Sequence, residues 1–348
     1  MGGDVSTNAP VGSLERHAPS CPLGADGAAP SIREMADRAI AWMNHGHALA
    51  SRDAGMEALV AYAHAIVLLR PLPFAENPAW ANSLGAALMN HGQLLHRVHG
   101  IARATGALAS FAEAIVILTP IPAEVVPWAR RNLAGTHLNR ANLQLDLAAA
   151  SRAVLQPALR TSSAHAEAPR HLDQARTDAE SALALVAATE RDRPVDAELA
   201  LKARRARCDV LGQQLVDASA TVQDELANLA GDTVDDALAL IHHWAARDAS
   251  AAEAFAPLAE RFFRFGCELY RRHQPHFLVE FIEENLVAVP THADELRAIA
   301  HLALDAALAD GALPALHLVD DPVSERALRT RADLHTARER LAAPPLSA

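Results

Sequence analysis

An all-α fold of stacked antiparallel helix pairs is what this sequence predicts, on three observations. Hydrophobic residues make up 51% of the 348 residues and aromatic residues only 4%. The interior is therefore filled by Ala, Leu and Val, which suits close helix packing rather than the aromatic and β-branched surfaces of sandwiches and barrels. From Ile32 onward apolar residues recur three and four apart, and no run of alternating polarity is long enough for a strand. The chain also repeats itself. Leu59–Pro73 (LVAYAHAIVLLRPLP) returns as Leu108–Pro122 (LASFAEAIVILTPIP), and Met43-Asn44-His45-Gly46 returns as Met89-Asn90-His91-Gly92, then more faintly as Leu138-Asn139-Arg140-Ala141.

Taken in order, residues 1–30 are rich in Gly, Pro, Ala and Ser without helical period and are expected to form a disordered tail. Pro and Gly clusters at 71–78, 120–127 and 287–292 punctuate the helices that follow. The tract 148–170 reads as a helix extension followed by a mobile loop. Residues 31–216 are expected to hold the repeated units. Residues 217–348 are expected to hold further helix pairs and a capping helix over 323–342, which Ser324 would start.

The repeated units resemble tetratricopeptide repeats, whose signature is a Leu-Gly pair, a large residue three on from the Gly, then Ala-x3-aromatic and a closing Pro. Leu84-Gly85, Leu88 and Gly92 have that spacing, and Ala107, Phe111, Ala114 and Pro120 supply the second helix. Ala58, Tyr62, Ala65 and Pro71 do the same in the first unit, Leu133-Ala134 stands for Leu-Gly in the third, and Phe265-Gly266, Leu269, Leu278, Ile282 and Pro290 fit further on. The resemblance implies a right-handed α-solenoid in which neighbours must stack to bury their apolar stripes and the ends need caps. The first units recur at a spacing of 49 residues, against about 34 in the regular repeat, so the units are elongated. The unit at 195–216 is barely recognisable.

The formal charge is −11 without any basic block, which speaks against nucleic acid as a partner. No apolar stretch forms a signal peptide or a membrane span. Three cysteines (Cys21, Cys208, Cys267) match no metal or redox spacing, so a reducing, cytoplasmic compartment is expected. Lys202 is the only lysine among 31 basic residues, a bias that points to a GC-rich bacterial genome.

No nucleotide-binding glycine loop, hydrolase elbow, kinase set or H-E-x-x-H motif is present, so the chain is expected not to be an enzyme and to need no cofactor. Of the densest histidine groups (His45 and His47; His91, His96 and His99; His242 and His243; His273 and His276) only His96 and His99 are expected to share a helical face, and no Asp, Glu or Cys at a neighbouring turn completes three ligands. Cys208 and Cys267 read as core thiols. The acid pairs Asp235-Asp236, Glu283-Glu284 and Asp320-Asp321 diverge on a helix and read as solvated faces. Trp42, Trp80, Trp128 and Trp244 read as packing residues of the core or of unit boundaries.

The sharpest candidates are Asn44, Asn90 and Asn139, at equivalent places near the expected ends of three first helices. The resemblance implies a row of amides on a concave face that grips the backbone of an extended peptide, since an amide both donates and accepts. The competing reading is helix-end chemistry, Asn before Gly being ordinary at a turn. Asn82, Met89, Arg130 and Arg131 would flank the groove, with Arg suited to a peptide carboxylate. The expected function is a non-catalytic scaffold or adaptor for a peptide or protein partner. The alternatives are a small-molecule or metal-dependent enzyme with a pocket near His96 and His99, and a peptide-responsive sensor.

Overall fold

The computed structural model describes residues 30–153, 162–288, 293–309 and 332–341. Residues 1–29 of the expected tail with Cys21, residues 154–161 within the tract expected to hold a loop, residues 289–292, Asp320-Asp321 and Ser324 lie outside them. Every described element is helical, and no strand occurs among the described residues. The helices are α1 (Ile32–Ala50), α2 (Gly55–Leu69), α3 (Pro78–His99), α4 (Ala104–Leu118), α5 (Ala129–Ala153), α6 (Ser162–Val186), α7 (Pro194–Asp217), α8 (Ala220–Ala245), α9 (Ala249–His273), α10 (Leu278–Ala288) and α11 (Ala293–Ala309). Residues 332–341 are also helical. Two compact units divide within α5, one up to Leu147 and one from Ala148.

Local chemistry sets the helix starts. Ser31 and Glu34 form a reciprocal capping box at α1, each side chain accepting from the other's backbone N–H. Asn77 accepts from the N–H of Ala79 at 3.1 Å, with Pro78 opening α3. Asp248 accepts from Ser250 and Ala251 at α9. The Pro-rich tracts at 71–78 and 120–127 coincide with the α2–α3 and α4–α5 connections or their edges, because proline cannot donate to a helix interior.

In the first unit each helix packs on the next, α1 on α2, α2 on α3 and α3 on α4. The pairs are antiparallel: Gly85 of α3 faces Leu118 at the end of α4, while Gly92 faces Phe111 nearer its middle. Phe111 is fully buried with Ala104, Ala107 and Leu143, which brings α5 onto α4. The stretch Pro78–Leu118 is apolar enough to cross a membrane by length and composition. It is not one straight helix, because Gly100, at φ 55, turns the chain through a short 3-10 segment into the antiparallel α3–α4 pair.

The second unit continues the pattern, α6 on α7, α7 on α8 and α8 on α9, with α10 and α11 against α9. The tract 195–216, expected as a faint unit, is the body of a single 24-residue helix, α7. Cys208 and Cys267 are each 2% exposed, in agreement with core thiols. Burial pushes the Cys208 thiol far up and the Cys267 thiol up to about 12. Neither should react with an aromatic disulfide reagent at pH 8 until the chain is denatured, and absorbance of the released thiolate reads this directly. Rapid reaction of either in a Cys21→Ser variant of the folded chain would contradict the packing.

The tryptophans divide. Trp244 is a core residue whose Nε1 donates to the Glu190 carbonyl at 3.0 Å. Trp128 is 55% exposed, contrary to its expected packing role, and sits in the Pro122–Trp128 connection before α5 begins.

Candidate functional site

The Met-Asn-His-Gly repeat does not lie at helix ends. Gly46 and Gly92 are inside α1 and α3, which continue to Ala50 and His99. The glycines are there for packing. A Cβ on Gly46 would stand 3.2 Å from the Tyr62 ring, and one on Gly92 2.8 Å from the Phe111 ring. The repeated Gly and the repeated aromatic are thus the two halves of one contact between paired helices, and the helix-end account of the neighbouring Asn fails on this geometry.

Asn44 is exposed, and Asn90 and Asn139 are half-buried. The side chain of none of the three makes a hydrogen bond to another described residue. Asn82, by contrast, is buried and accepts from Asn132 Nδ2 at 2.9 Å, tying α3 to α5. Met89 packs on α5, its Sδ 3.2 Å from where a Cβ on Gly135 would stand. Arg130 and Arg131 are half-buried and engaged with other groups.

Asn90 is the one predicted residue that borders a described pocket. This pocket, of about 270 Å³, is lined by His47, Ala50 and Ser51 of the α1 end, Tyr62 of α2, and Asn90, Gln93, Leu94 and Arg97 of α3. Asn90, Gln93 and Arg97 share one helical face by their spacing. The floor is apolar, since Leu94 packs with Ala58, Leu59, Tyr62 and Ala50. Tyr62 is only 3% exposed and borders the pocket. Burial pushes the phenol above its ordinary value, and the nearby Arg97 charge pulls the other way. One Arg97 N–H donates to the Ala50 carbonyl at 3.3 Å. No described carboxylate pairs with this guanidinium.

His96 Nε2 lies 2.7 Å from Asp146 Oδ2, a partner from α5 that no local pattern signals, and no group of three potential ligands occurs among the described residues. His91 Nδ1 is 3.1 Å from Ser110 Oγ, but that hydroxyl donates to the Gly106 carbonyl and is buried, so it accepts from His91. Burial, reinforced by Arg70, holds His91 below the usual imidazole range.

The second unit carries a different kind of cavity, which sequence reasoning missed. Residues 148–348 hold 31 acidic and 21 basic side chains. A pocket of about 310 Å³ is lined by Asp232 and Asp235 of α8, Tyr270 of α9, and Phe277, Glu280, Phe281 and Glu284 around the start of α10. The signal was the spacing of Asp232 with Asp235 and of Glu280 with Glu284, which puts each pair on one face, rather than the adjacent acid pairs. Tyr270 Oη donates to Asp235 at 3.4 Å. Burial raises the Asp235 carboxyl, and neighbouring Asp232, Glu284 and Asp236 add to this against the Tyr270 hydrogen bond. Such a cavity favours cations and repels phosphates.

No protein-family model matches the chain, and comparison with curated proteins finds no match.

Proposed function

We propose that the chain is a non-catalytic scaffold or adaptor whose helix pairs stack as a tetratricopeptide-like right-handed solenoid, capped by residues 332–341, and which binds an extended peptide segment of a protein partner along its first helices. The observation that carries this reading is the state of the repeated amides. Asn44, Asn90 and Asn139 recur at equivalent places and their side chains make no hydrogen bond to other described residues, while the side chains of the non-repeated Asn82 and Asn285 both have partners within the fold. Because the helices run on past all three, the amides have no capping duty. A side chain that offers donor and acceptor together pairs with a peptide bond whatever its sequence.

The test is the triple variant Asn44→Ala, Asn90→Ala, Asn139→Ala, measured against a partner captured from the native host. Each lost hydrogen bond should cost about 1 kcal/mol, or about fivefold in affinity. The thermal midpoint should hold or rise, since Ala is the better helix former. Unchanged affinity in the triple variant would end the peptide-ladder reading.

A further inference from the structure

We propose that the cavity between α8, α9 and the start of α10 is a site for an aliphatic polyammonium ligand, with carboxylates along two sides and the Tyr270 hydroxyl among aromatic rings at its floor. The site lies wholly in the second unit and stands or falls independently of the asparagine row. Tyr270 carries the argument. It is 8% exposed and lines the cavity, and its one hydrogen bond to a described residue, donated to Asp235, is 3.4 Å long. A hydroxyl bound to a carboxylate closes to about 2.5–2.7 Å, so this one falls short of Asp235, and its oxygen accepts from no described group. Gly231 keeps the space beside it open, since a Cβ there would stand 3.0 Å from the Tyr270 hydroxyl oxygen. An enclosed oxygen with its acceptor side unfilled, beside a cavity walled by acids, is completed by an N–H donor that carries positive charge.

The carboxylates call for charge that the chain does not provide. Asp232 and Asp235 lie about one turn apart on α8, and Glu280 and Glu284 one turn apart on α10, so an acidic pair comes from each of two helices packed on α9. Glu190, Glu198 and Glu260 of the same unit each pair with a basic side chain, whereas none of these four meets one among the described residues, and no basic side chain lines the cavity. Burial, then Asp235, Asp232 and Glu284 in turn, push the Tyr270 phenol far above its ordinary value, so carboxylates of both α8 and α10 act on the one hydroxyl. The ligand class follows from spread and lining. The acids surround a cavity of about 310 Å³, and no group of three potential metal ligands converges among the described residues, which suits separated charges on a chain rather than a single ion. The rings select an organic cation. Tyr270 and Phe281 pack with centroids 4.9 Å apart, Phe281 lies so close over Gly266 that no Cβ fits between, and Phe277 lines the cavity 43% exposed, offering ring surface to ammonium groups and the methylenes between them. The carboxylates are exposed, so each contributes modestly and the enclosed floor supplies the selectivity.

The experiment titrates the full chain by calorimetry with spermidine, butylammonium, an N-acetylated and amidated peptide of adjacent lysines, and calcium, in about 150 mM salt to screen loose attraction to acidic surface. Spermidine or the lysine peptide should bind saturably at a single site, with butylammonium and calcium at least about tenfold weaker. Glu280→Gln combined with Glu284→Gln should lose at least about tenfold while the thermal midpoint holds or rises, because like charges no longer face each other. Tyr270→Phe and Phe277→Ala should each lose several-fold. Glu253→Gln, which alters an exposed acid of α9 outside the cavity, should bind as the unaltered chain does. Tighter binding of spermidine identifies a free polyamine as the source, and tighter binding of the peptide identifies a lysine-bearing partner segment; either supports the site. Binding without saturation, equal or tighter binding of butylammonium or calcium, or no binding of either polyammonium probe overturns it. So does an equal loss in Glu253→Gln, or full affinity in either the Glu280, Glu284 double variant or Tyr270→Phe.

Discussion

Phe111→Ala should be among the most damaging single changes in the first unit, lowering stability by about 3–5 kcal/mol in chemical denaturation followed by circular dichroism. Phe111 is fully buried among Ala104, Ala107 and Leu143, and small residues of that kind cannot close over the vacated ring. The opposite error sits across the helix pair. Gly92→Ala would place a methyl 2.8 Å from the ring and 3.1 Å from the Ala107 carbonyl. A rigid ring and a backbone atom do not yield, so α3 and α4 must part, at about 1–3 kcal/mol. The gain in helix propensity, about 1 kcal/mol, offsets only part of that. The two changes are coupled: Gly92→Ala combined with Phe111→Leu should be less destabilising than the sum of the singles, since the shorter side chain yields room to the methyl. Additivity would mean that the glycine serves something other than the ring.

That contact also shows what a single sequence discloses about this fold. The pairing of Gly46 with Tyr62 and Gly92 with Phe111 was legible as recurrence, because packing of repeated helices demands the same small and large residues each time. The duty of the motif was not. Asn before Gly has the same letters at a turn and inside a helix, and only the length of α1 and α3 separates the two. Relations across helices were the hardest to see. Asn132 with Asn82, Asp146 with His96, and Tyr62 with Arg97 all bridge residues far apart in the chain, and no local spacing signals them. Arg130 and Arg131 are a visible cationic pair in the sequence, while Arg97, a lone arginine in a histidine-rich tract, lines a pocket with no carboxylate among its lining residues. The acidic cavity of the second unit was hidden for the same reason, its carboxylates coming from α8 and the start of α10.

Arg204→Met should cost the second unit about 3 kcal/mol or more. Arg204 meets Glu190 through two parallel hydrogen bonds of 2.8 and 3.0 Å, with the side chains only 12% and 11% exposed. Glu190 belongs to the connection between α6 and α7, and its carbonyl accepts from Trp244 of α8, so this one residue ties the turn to two helices. Removing the guanidinium leaves a carboxylate enclosed without a counter-charge, and that uncompensated charge is the source of the loss. The pair itself is worth much less, because both groups gave up hydration to meet. Glu190→Leu with Arg204→Met should therefore recover most of the stability lost in Arg204→Met alone, while the Trp244 bond, made to the backbone, survives and keeps the tryptophan emission unchanged. A double variant as unstable as the single would show that the ion pair, and not merely the avoidance of a stranded charge, holds the α6–α7 turn in place.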